Sequence, residues 1–172
     1  GFKHHKKDVP DSWMPKMPSD GDVVWREYKK ALKQLGTLGG GNHFIEIQKG
    51  DDGFIWAMIH SGSRNIGLQV AKYHNKVAKD LNARWHTKVD PKWDLAFLPN
   101  STLEARRYWS EMNFCLNFAK LSRQYMMKVV EGILYVRTDC DFSPTINIHH
   151  NYASTELYGG RGAVIHRKGA TA

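Results

Sequence analysis

The sequence predicts an α+β fold in which helices are inserted between β-hairpins. Short apolar runs bounded by glycine-rich or polar turns are typical of strands. They alternate with long stretches in which apolar residues follow a 3.6-residue period, as in amphipathic helices. The 172 residues suffice for one domain with a sizeable core, and 41% of them are apolar, which excludes a disordered tail.

The first part of the chain predicts an arm, a helix and a hairpin. Residues 1–22 are polar and contain three prolines, so we interpret them as a loop or an arm before a domain over 23–172. A helical period begins at Asp22, and Gly36 stands where a glycine would cap that helix. Residues 43–48 and 54–60 then predict two strands, which the turn at 49–53 joins into a hairpin.

The second part of the chain is mainly helical. One helix is predicted over 67–85, followed by a connector over 86–100 that contains two prolines. The strongest helical period runs over 101–130, where Ser101 and Glu104 have the spacing of a capping box. Short apolar runs follow at 133–136, 146–148 and 163–165, and the last two are typical of strands.

Charge and cysteine content narrow the functional class. The formal charge is +8 and the isoelectric point is about 9.5, which favours a nucleic acid partner over a membrane, although a solubilising surface explains the charge equally well. Two cysteines and no evident secretory or membrane-spanning run predict a reducing compartment, the cytoplasm. The chain begins without an initiator Met, so we expect a piece of a longer polypeptide.

The predicted hairpin places two histidines together. His43 begins its first strand and His60 ends its second, so closure at 49–53 makes them near cross-strand neighbours. Two imidazoles at that spacing can share a metal ion, and the alternative is a polar pair at the end of a sheet. In HSGSRNIG, residues 60–67, Arg64 falls in a strand-to-helix loop. This is either an anion site or a capping loop with an exposed arginine.

Two later motifs add a third imidazole and a basic turn. In NIHHNYAS, residues 147–154, His150 and Asn151 fall at the end of a predicted strand, where a third imidazole would complete a nitrogen-rich metal set. The alternative is a polar strand end with a chance pair of histidines. His149 is the weaker candidate because strand alternation places it on the opposite face. In VIHRKGATA, residues 164–172, His166 and the basic residues after it precede a glycine, which suits contact with a phosphodiester backbone but is weak evidence alone.

The glycine run at residues 39–41 is the densest local feature of the sequence. Glycines without Cβ atoms let the backbone approach a ligand closely and can form a phosphate-binding nest. Their spacing does not match a P-loop or a dinucleotide-binding fingerprint. The alternative is a flexible loop after Gly36.

Four motifs in this order, GTLGGGNHFIEI, HSGSRNIG, HHNYAS and HRKGAT, resemble the RtcB family of RNA-splicing ligases over roughly residues 35–171. The resemblance implies an RtcB-like arrangement of mixed hairpins with inserted helices. It also implies an enzyme that joins RNA ends carrying a 2′,3′-cyclic phosphate or 3′-phosphate to 5′-hydroxyl ends. The implied cofactors are GTP and Mn²⁺, with Zn²⁺ as another candidate, and the reaction passes through a GMP-histidine intermediate.

The resemblance assigns residues by position in the motifs. The implied metal ligands are His43, His60 and His150. Arg64 and Lys168 would contact RNA phosphates. The implied guanylate contacts are Asn42, His43, Phe44, Ile45, Glu46, His150 and Asn151. The implied partner is RNA, as tRNA halves or broken RNA, with an accessory activator protein as a further candidate and no membrane.

Departures from the family pattern make this a partial catalytic domain. The family's DVGCG-like segment, whose Asp and Cys complete the metal site, does not precede Leu35, and the HGAGR-like segment with the guanylated histidine does not follow His166. His166 is therefore not the nucleophile, and we expect this chain alone to be inactive. Two alternatives remain: an inactive homologue or fragment that binds RNA through its charge, and a histidine-rich metal-dependent phosphoesterase.

Overall fold

A computed structural model of the chain describes residues 4–93, 95–143 and 145–171. The described residues form three α-helices and two separate antiparallel hairpins, which confirms the predicted α+β class. Short 3-10 turns occur at Asp11–Trp13 and Pro91–Trp93. The elements are, in order, α1 (Asp22–Leu32), β1 (Phe44–Lys49), β2 (Ile55–His60), α2 (Arg64–Arg84), α3 (Leu103–Thr138), β3 (Asn151–Tyr158) and β4 (Arg161–Lys168).

The three helices pack around one apolar core. Val23 and Val24 of α1, Ile66 of α2 and Phe118 of α3 are almost completely buried within it. A polar contact crosses the same interface: Glu111 of α3 accepts the backbone N–H of Val24 at 2.7 Å and lies 2.7 Å from Nε2 of His74 in α2. Because buried polar groups are costly unless they are hydrogen-bonded, this contact fixes how the three helices meet.

The segment before α1 packs on this core. Met14 is buried, the N–H of Val9 donates to the carbonyl of Leu32 at 3.2 Å, and the ring of Trp13 stacks on Tyr125 with centroids 4.8 Å apart. The only regular element within residues 4–21 is a short 3-10 turn. The division of the chain at residue 22 stays a prediction.

The first predicted hairpin is confirmed, with its turn one residue later than predicted. Phe44 pairs with His60 and Lys49 pairs with Ile55, so the turn lies at residues 50–54. The side chain of Asp52 accepts the N–H of Phe54 at 2.9 Å, which stabilises that turn. The helix prediction that starts at Asp22 is also confirmed, but α1 ends at Leu32 and Gly36 follows it with φ of 67°. Gly36 is therefore not the residue that directly caps the helix.

The longest helix differs from its prediction at both ends. The side chain of Thr102 accepts the N–H of Ala105 at 3.2 Å, so Thr102 is the N-cap and the proposed capping box of Ser101 and Glu104 is wrong by one residue. The helix continues to Thr138 and absorbs the apolar run at 133–136. It stops where Asp139 adopts the left-handed conformation, with φ of 50°.

Two further predictions about local structure are wrong. Helix α2 begins at Arg64 and not at residue 67. Residues 146–148 form no strand, because no segment of the described chain pairs with them. The strand begins at Asn151, which pairs with Lys168 in the second hairpin. None of the helices that the structure describes is long and apolar enough to cross a membrane.

Candidate functional site

The two hairpins and α3 surround a cleft of about 1140 Å³. Residues from three of the sequence motifs line it, although they lie far apart along the chain. These include His60, Ser61, His149, His150, His166 and Arg167. Because binding sites are concave surfaces on which a few polar groups converge, the cleft is the candidate functional site.

His60 and His150 meet in this cleft. Their ring centroids are 5.1 Å apart, and the ring of Phe44 also lies 5.2 Å from that of His60. His60 is the last residue of β2, and His150 directly precedes β3. The structure therefore brings together two of the three histidines that the sequence predicts as metal ligands.

His43 lies beside His60, one residue before β1. Burial lowers the pKa of His43, and the positive charges of Arg64 and His60 lower it further, while a hydrogen bond to the backbone of His60 opposes them. Its Nδ1 atom is buried and has no hydrogen-bond partner among the described residues. A lowered pKa favours the neutral imidazole, which is the form that binds metal ions.

These histidines do not form a complete metal site. Among residues 4–93, 95–143 and 145–171, no three His, Cys, Asp or Glu side chains are placed as one group that could hold an ion. Cys115 is buried on α3 and Cys140 lies just beyond its end, and neither belongs to such a group within the described residues. The assignment of His43, His60 and His150 as ligands stays a prediction.

The glycine run packs against Arg64. A guanidinium nitrogen of Arg64 donates to the carbonyl of Thr37 at 2.6 Å and to its hydroxyl at 3.0 Å. A β-carbon on Gly39 would lie 2.6 Å from the same nitrogen, whereas one on Gly40 would meet nothing within 4 Å. Within the described chain, the group that approaches Gly39 closely is therefore Arg64 itself. Burial lowers the pKa of Arg64, and its contact with an RNA phosphate stays a prediction.

Arg123 is a cleft residue that the sequence analysis missed. It projects from α3, where its position gave no signal beyond that of a polar residue on a helix. Its Nε donates to the side chain of Asn147 at 2.8 Å, one terminal nitrogen donates to the carbonyl of Ser61 at 3.0 Å, and the other lies 3.4 Å from Nδ1 of His149. Burial lowers the pKa of Arg123. One guanidinium thus joins two motifs that flank the cleft.

The predicted orientation of His149 is wrong. Alternation in a strand would place it opposite His150, but residues 146–150 are not a strand, and both histidines line the cleft. Burial lowers the pKa of His149, with further contributions from the charges of Arg123 and Lys120. A neutral ring is consistent with an Nδ1 that accepts a hydrogen bond from Arg123.

The last motif reaches the cleft through His166 and Arg167. The ring of His166 is parallel to that of Tyr108, with centroids 6.1 Å apart. Arg167 is paired with Glu156 at 2.7 Å, and Lys168 at the end of β4 is exposed and lies outside the cleft lining. The predicted phosphate contact of Lys168 would thus lie at the rim of the cleft.

The predicted guanylate contacts divide into two groups. His150 and Asn151 line the cleft, and the side-chain oxygen of Asn151 accepts the N–H of Gly169 at 2.9 Å. Asn42, Ile45 and Glu46 are exposed on or beside β1, His43 and Phe44 are partly buried there, and none of these five is part of the cleft lining. The structure thus brings only part of the predicted nucleotide set into the cleft.

Comparisons with known proteins agree on one family. The family model described as tRNA-splicing ligase RtcB matches residues 7–172. RNA-splicing ligase RtcB1 of Escherichia coli is 38% identical over 146 residues, which cover 80% of this chain and 35% of that protein.

Two further relatives give the same result. The tRNA-splicing ligases RtcB of Methanopyrus kandleri and Thermococcus kodakarensis are 31% and 30% identical, over 92% and 89% of this chain. The chain spans 35%, 19% and 36% of the lengths of the three relatives, in the order given.

Proposed function

This chain belongs to the RtcB family of tRNA-splicing ligases, and from that premise we propose that its protein is an RNA ligase dependent on GTP and Mn²⁺. The proposed reaction joins an RNA end carrying a 2′,3′-cyclic phosphate or 3′-phosphate to a 5′-hydroxyl end, in tRNA halves or broken RNA. The observation that carries the proposal is the convergence of His60, His150 and His166, from three separate family motifs, in one cleft. The formal charge of +8 supports a polyanionic substrate.

The histidines of the cleft fit part of a metal donor set. His60 and His150 would hold Mn²⁺ or Zn²⁺, and His43, whose Nδ1 has no hydrogen-bond partner in the described part of the chain, would be the third ligand. A bound ion would supply Lewis-acid polarisation of phosphoryl oxygens.

The remaining polar groups would bind and orient the nucleotide and the RNA. The side-chain oxygen of Asn151 already accepts a hydrogen bond from the N–H of Gly169, so its amide nitrogen is the group that can donate to a guanylate. The other proposed guanylate contacts are Asn42, His43, Phe44, Ile45, Glu46 and His150. Arg64, held by Thr37, and Lys168 would contact RNA phosphates, for which a guanidinium offers paired donors.

The test is covalent guanylation of the full-length protein. We expect wild-type protein incubated with radiolabelled GTP and Mn²⁺ to acquire a GMP adduct. His60→Ala should abolish the adduct, because it removes a metal ligand from the cleft. His4→Ala, which removes an exposed histidine from the N-terminal segment, is the matched control and should label like wild type. Normal GMP transfer to His60→Ala would exclude the proposed role of His60.

A non-catalytic role is the second candidate, because the charge of +8 alone can bind RNA. RNA binding by a full-length protein that acquires no GMP adduct would favour this binding module. Cleavage of RNA phosphodiesters without joining would favour the phosphoesterase alternative. We further propose a cytoplasmic location, supported by the free thiols of Cys115 and Cys140, and an accessory activator protein as a partner.

A further inference from the structure

Arg123 connects the two chain segments that carry the cleft histidines. Its contact on one side is the carbonyl of Ser61, the residue after His60. Its contacts on the other side are Asn147 and His149, just before His150. The side chain of Arg123 thus contacts the residue that follows His60 and the residue that precedes His150.

Within the described residues, no backbone hydrogen bond joins the segments of His60 and His150 and so sets the distance between their rings. His60 belongs to the β1–β2 sheet and His150 precedes the β3–β4 sheet, and in the described chain these sheets are not hydrogen-bonded to each other. Residues 146–149 have no strand or helix hydrogen bonds of their own. Side chains anchored on α3 must therefore hold this segment against β2.

Arg123 is suited to this task by the geometry of its side chain. A planar guanidinium presents five N–H donors in a fixed fork, so one group can bind three acceptors in different directions. A lysine at this position would keep the charge, but its single ammonium would not reproduce that fork. Asn147 adds a second anchor, since its amide nitrogen donates to the carbonyl of Lys120 on α3 at 3.0 Å.

We propose that Arg123 is a positioning residue that holds the segments around His60 and His150 so that both imidazoles face one metal ion. The inference rests on the proposed function, because it concerns the same metal site. Arg123 does not bind the ion or the substrate in this role. Its effect is to set the separation of 5.1 Å between the two rings.

The test measures metal binding in the full-length protein separately from folding. Arg123→Lys and Arg123→Gln are compared with Arg137→Lys and Arg137→Gln, which make the same changes at an exposed position of α3 outside the cleft. Mn²⁺ affinity is measured by titration calorimetry. The visible absorption of bound Co²⁺ reports the coordination geometry, and thermal unfolding without metal reports the fold.

We expect both Arg123 variants to lose about 10–100-fold in Mn²⁺ affinity, as when groups that orient metal ligands are removed. The Co²⁺ spectrum should change in both, and both Arg137 variants should match wild type. A lower unfolding temperature with unchanged affinity and spectrum would overturn the inference, because Arg123 would then be only structural. If Arg123→Gln does not fold, Asn147→Ala removes one anchor, and wild-type affinity and spectrum in that variant would also overturn it.

Failure of the positioning role of Arg123 can be told apart from failure of the proposed ligase function. A wild-type protein that binds Mn²⁺ but acquires no GMP adduct would exclude the ligase, while the positioning role would still be decided by the Arg123 variants. A guanylated wild type together with wild-type metal affinity in Arg123→Lys would exclude only the positioning role. A wild type that binds neither Mn²⁺ nor Co²⁺ would exclude both.

Discussion

The imidazole rings of His60 and His150 lie 5.1 Å apart, although one ends β2 and the other precedes β3 of a different sheet. Two imidazoles this close in a cleft can bind the same ion. If both histidines bind one ion, the losses of affinity from replacing each of them are not independent, whereas losses at two separate sites would be.

We expect His60→Ala and His150→Ala each to lower the affinity of the full-length protein for Mn²⁺ by about tenfold or more. The double variant should lose less than the product of the two single losses, because residues that act on one ion are not additive. Titration calorimetry measures the affinity and the number of ions, with His4→Ala as the control. Loss of a different ion in each single variant would contradict a shared site.

Gly39 and Gly40 provide a matched pair of substitutions in the glycine run. Gly39 has φ of 89°, and a β-carbon there would lie 2.6 Å from a guanidinium nitrogen of Arg64, whereas Gly40 has open space around it. We expect Gly39→Ala to lower the free energy of unfolding by about 1–3 kcal/mol through backbone strain and displacement of Arg64. Gly40→Ala should change it little. Denaturant unfolding measures both, and equal effects would refute the contact with Arg64.

Thr102 and Ser101 test which residue caps α3. The side chain of Thr102 accepts the N–H of Ala105, so Thr102→Ala should lower the free energy of unfolding by about 1 kcal/mol. The backbone carbonyl of Ser101 accepts from Arg106, and this contact survives Ser101→Ala, which should be nearly neutral. Chemical denaturation of the two variants measures the difference. A larger loss of unfolding free energy in Ser101→Ala than in Thr102→Ala would instead support the capping box that the sequence predicts.

Cys115 and Cys140 should differ in reactivity. Burial, with a further contribution from the charge of Glu111, raises the pKa of Cys115 to about 12, whereas Cys140 is partly exposed. Because the thiolate is the reactive form, we expect iodoacetamide at pH 8.5 to modify Cys115 at least roughly 100-fold more slowly than Cys140 in the folded protein. Peptide mapping by mass spectrometry measures the two rates. Equal rates before unfolding would contradict the burial of Cys115.

The same pKa shift predicts how stability changes at alkaline pH. Its folded-state value is above the ordinary 9.0, so between pH 9 and about 12 the unfolded chain releases this proton while the folded chain keeps it. The contribution of Cys115 to stability therefore falls as pH rises through this window. Cys115→Ser removes a thiol that ionises in this range, so the free energy of unfolding of this variant should depend less on pH than that of the wild type.

Local features of the sequence predict most of the elements. The first hairpin follows from two strand patterns around a turn, and its register places His60 opposite Phe44, next to His43. The order of the four motifs identifies the family, because the residues themselves carry that information. Several predictions failed at ends of elements, such as the cap of α3 at Thr102, where neighbouring hydroxyls compete and only backbone geometry selects one. The strand predicted at 146–148 failed as a whole, because an apolar alternation does not show whether a partner strand lies beside it.

The sequence by itself determined the α+β class, the family and the proximity of His43 to the end of β2, since all three depend on local pattern or on residue identity. Only the tertiary structure decided that Arg64 packs on Gly39, that His149 faces the cleft, and that Arg123 joins Ser61 to Asn147. These contacts join residues that are distant along the chain. Their geometry arises from the tertiary packing of the helices and hairpins, which no periodicity in the sequence encodes.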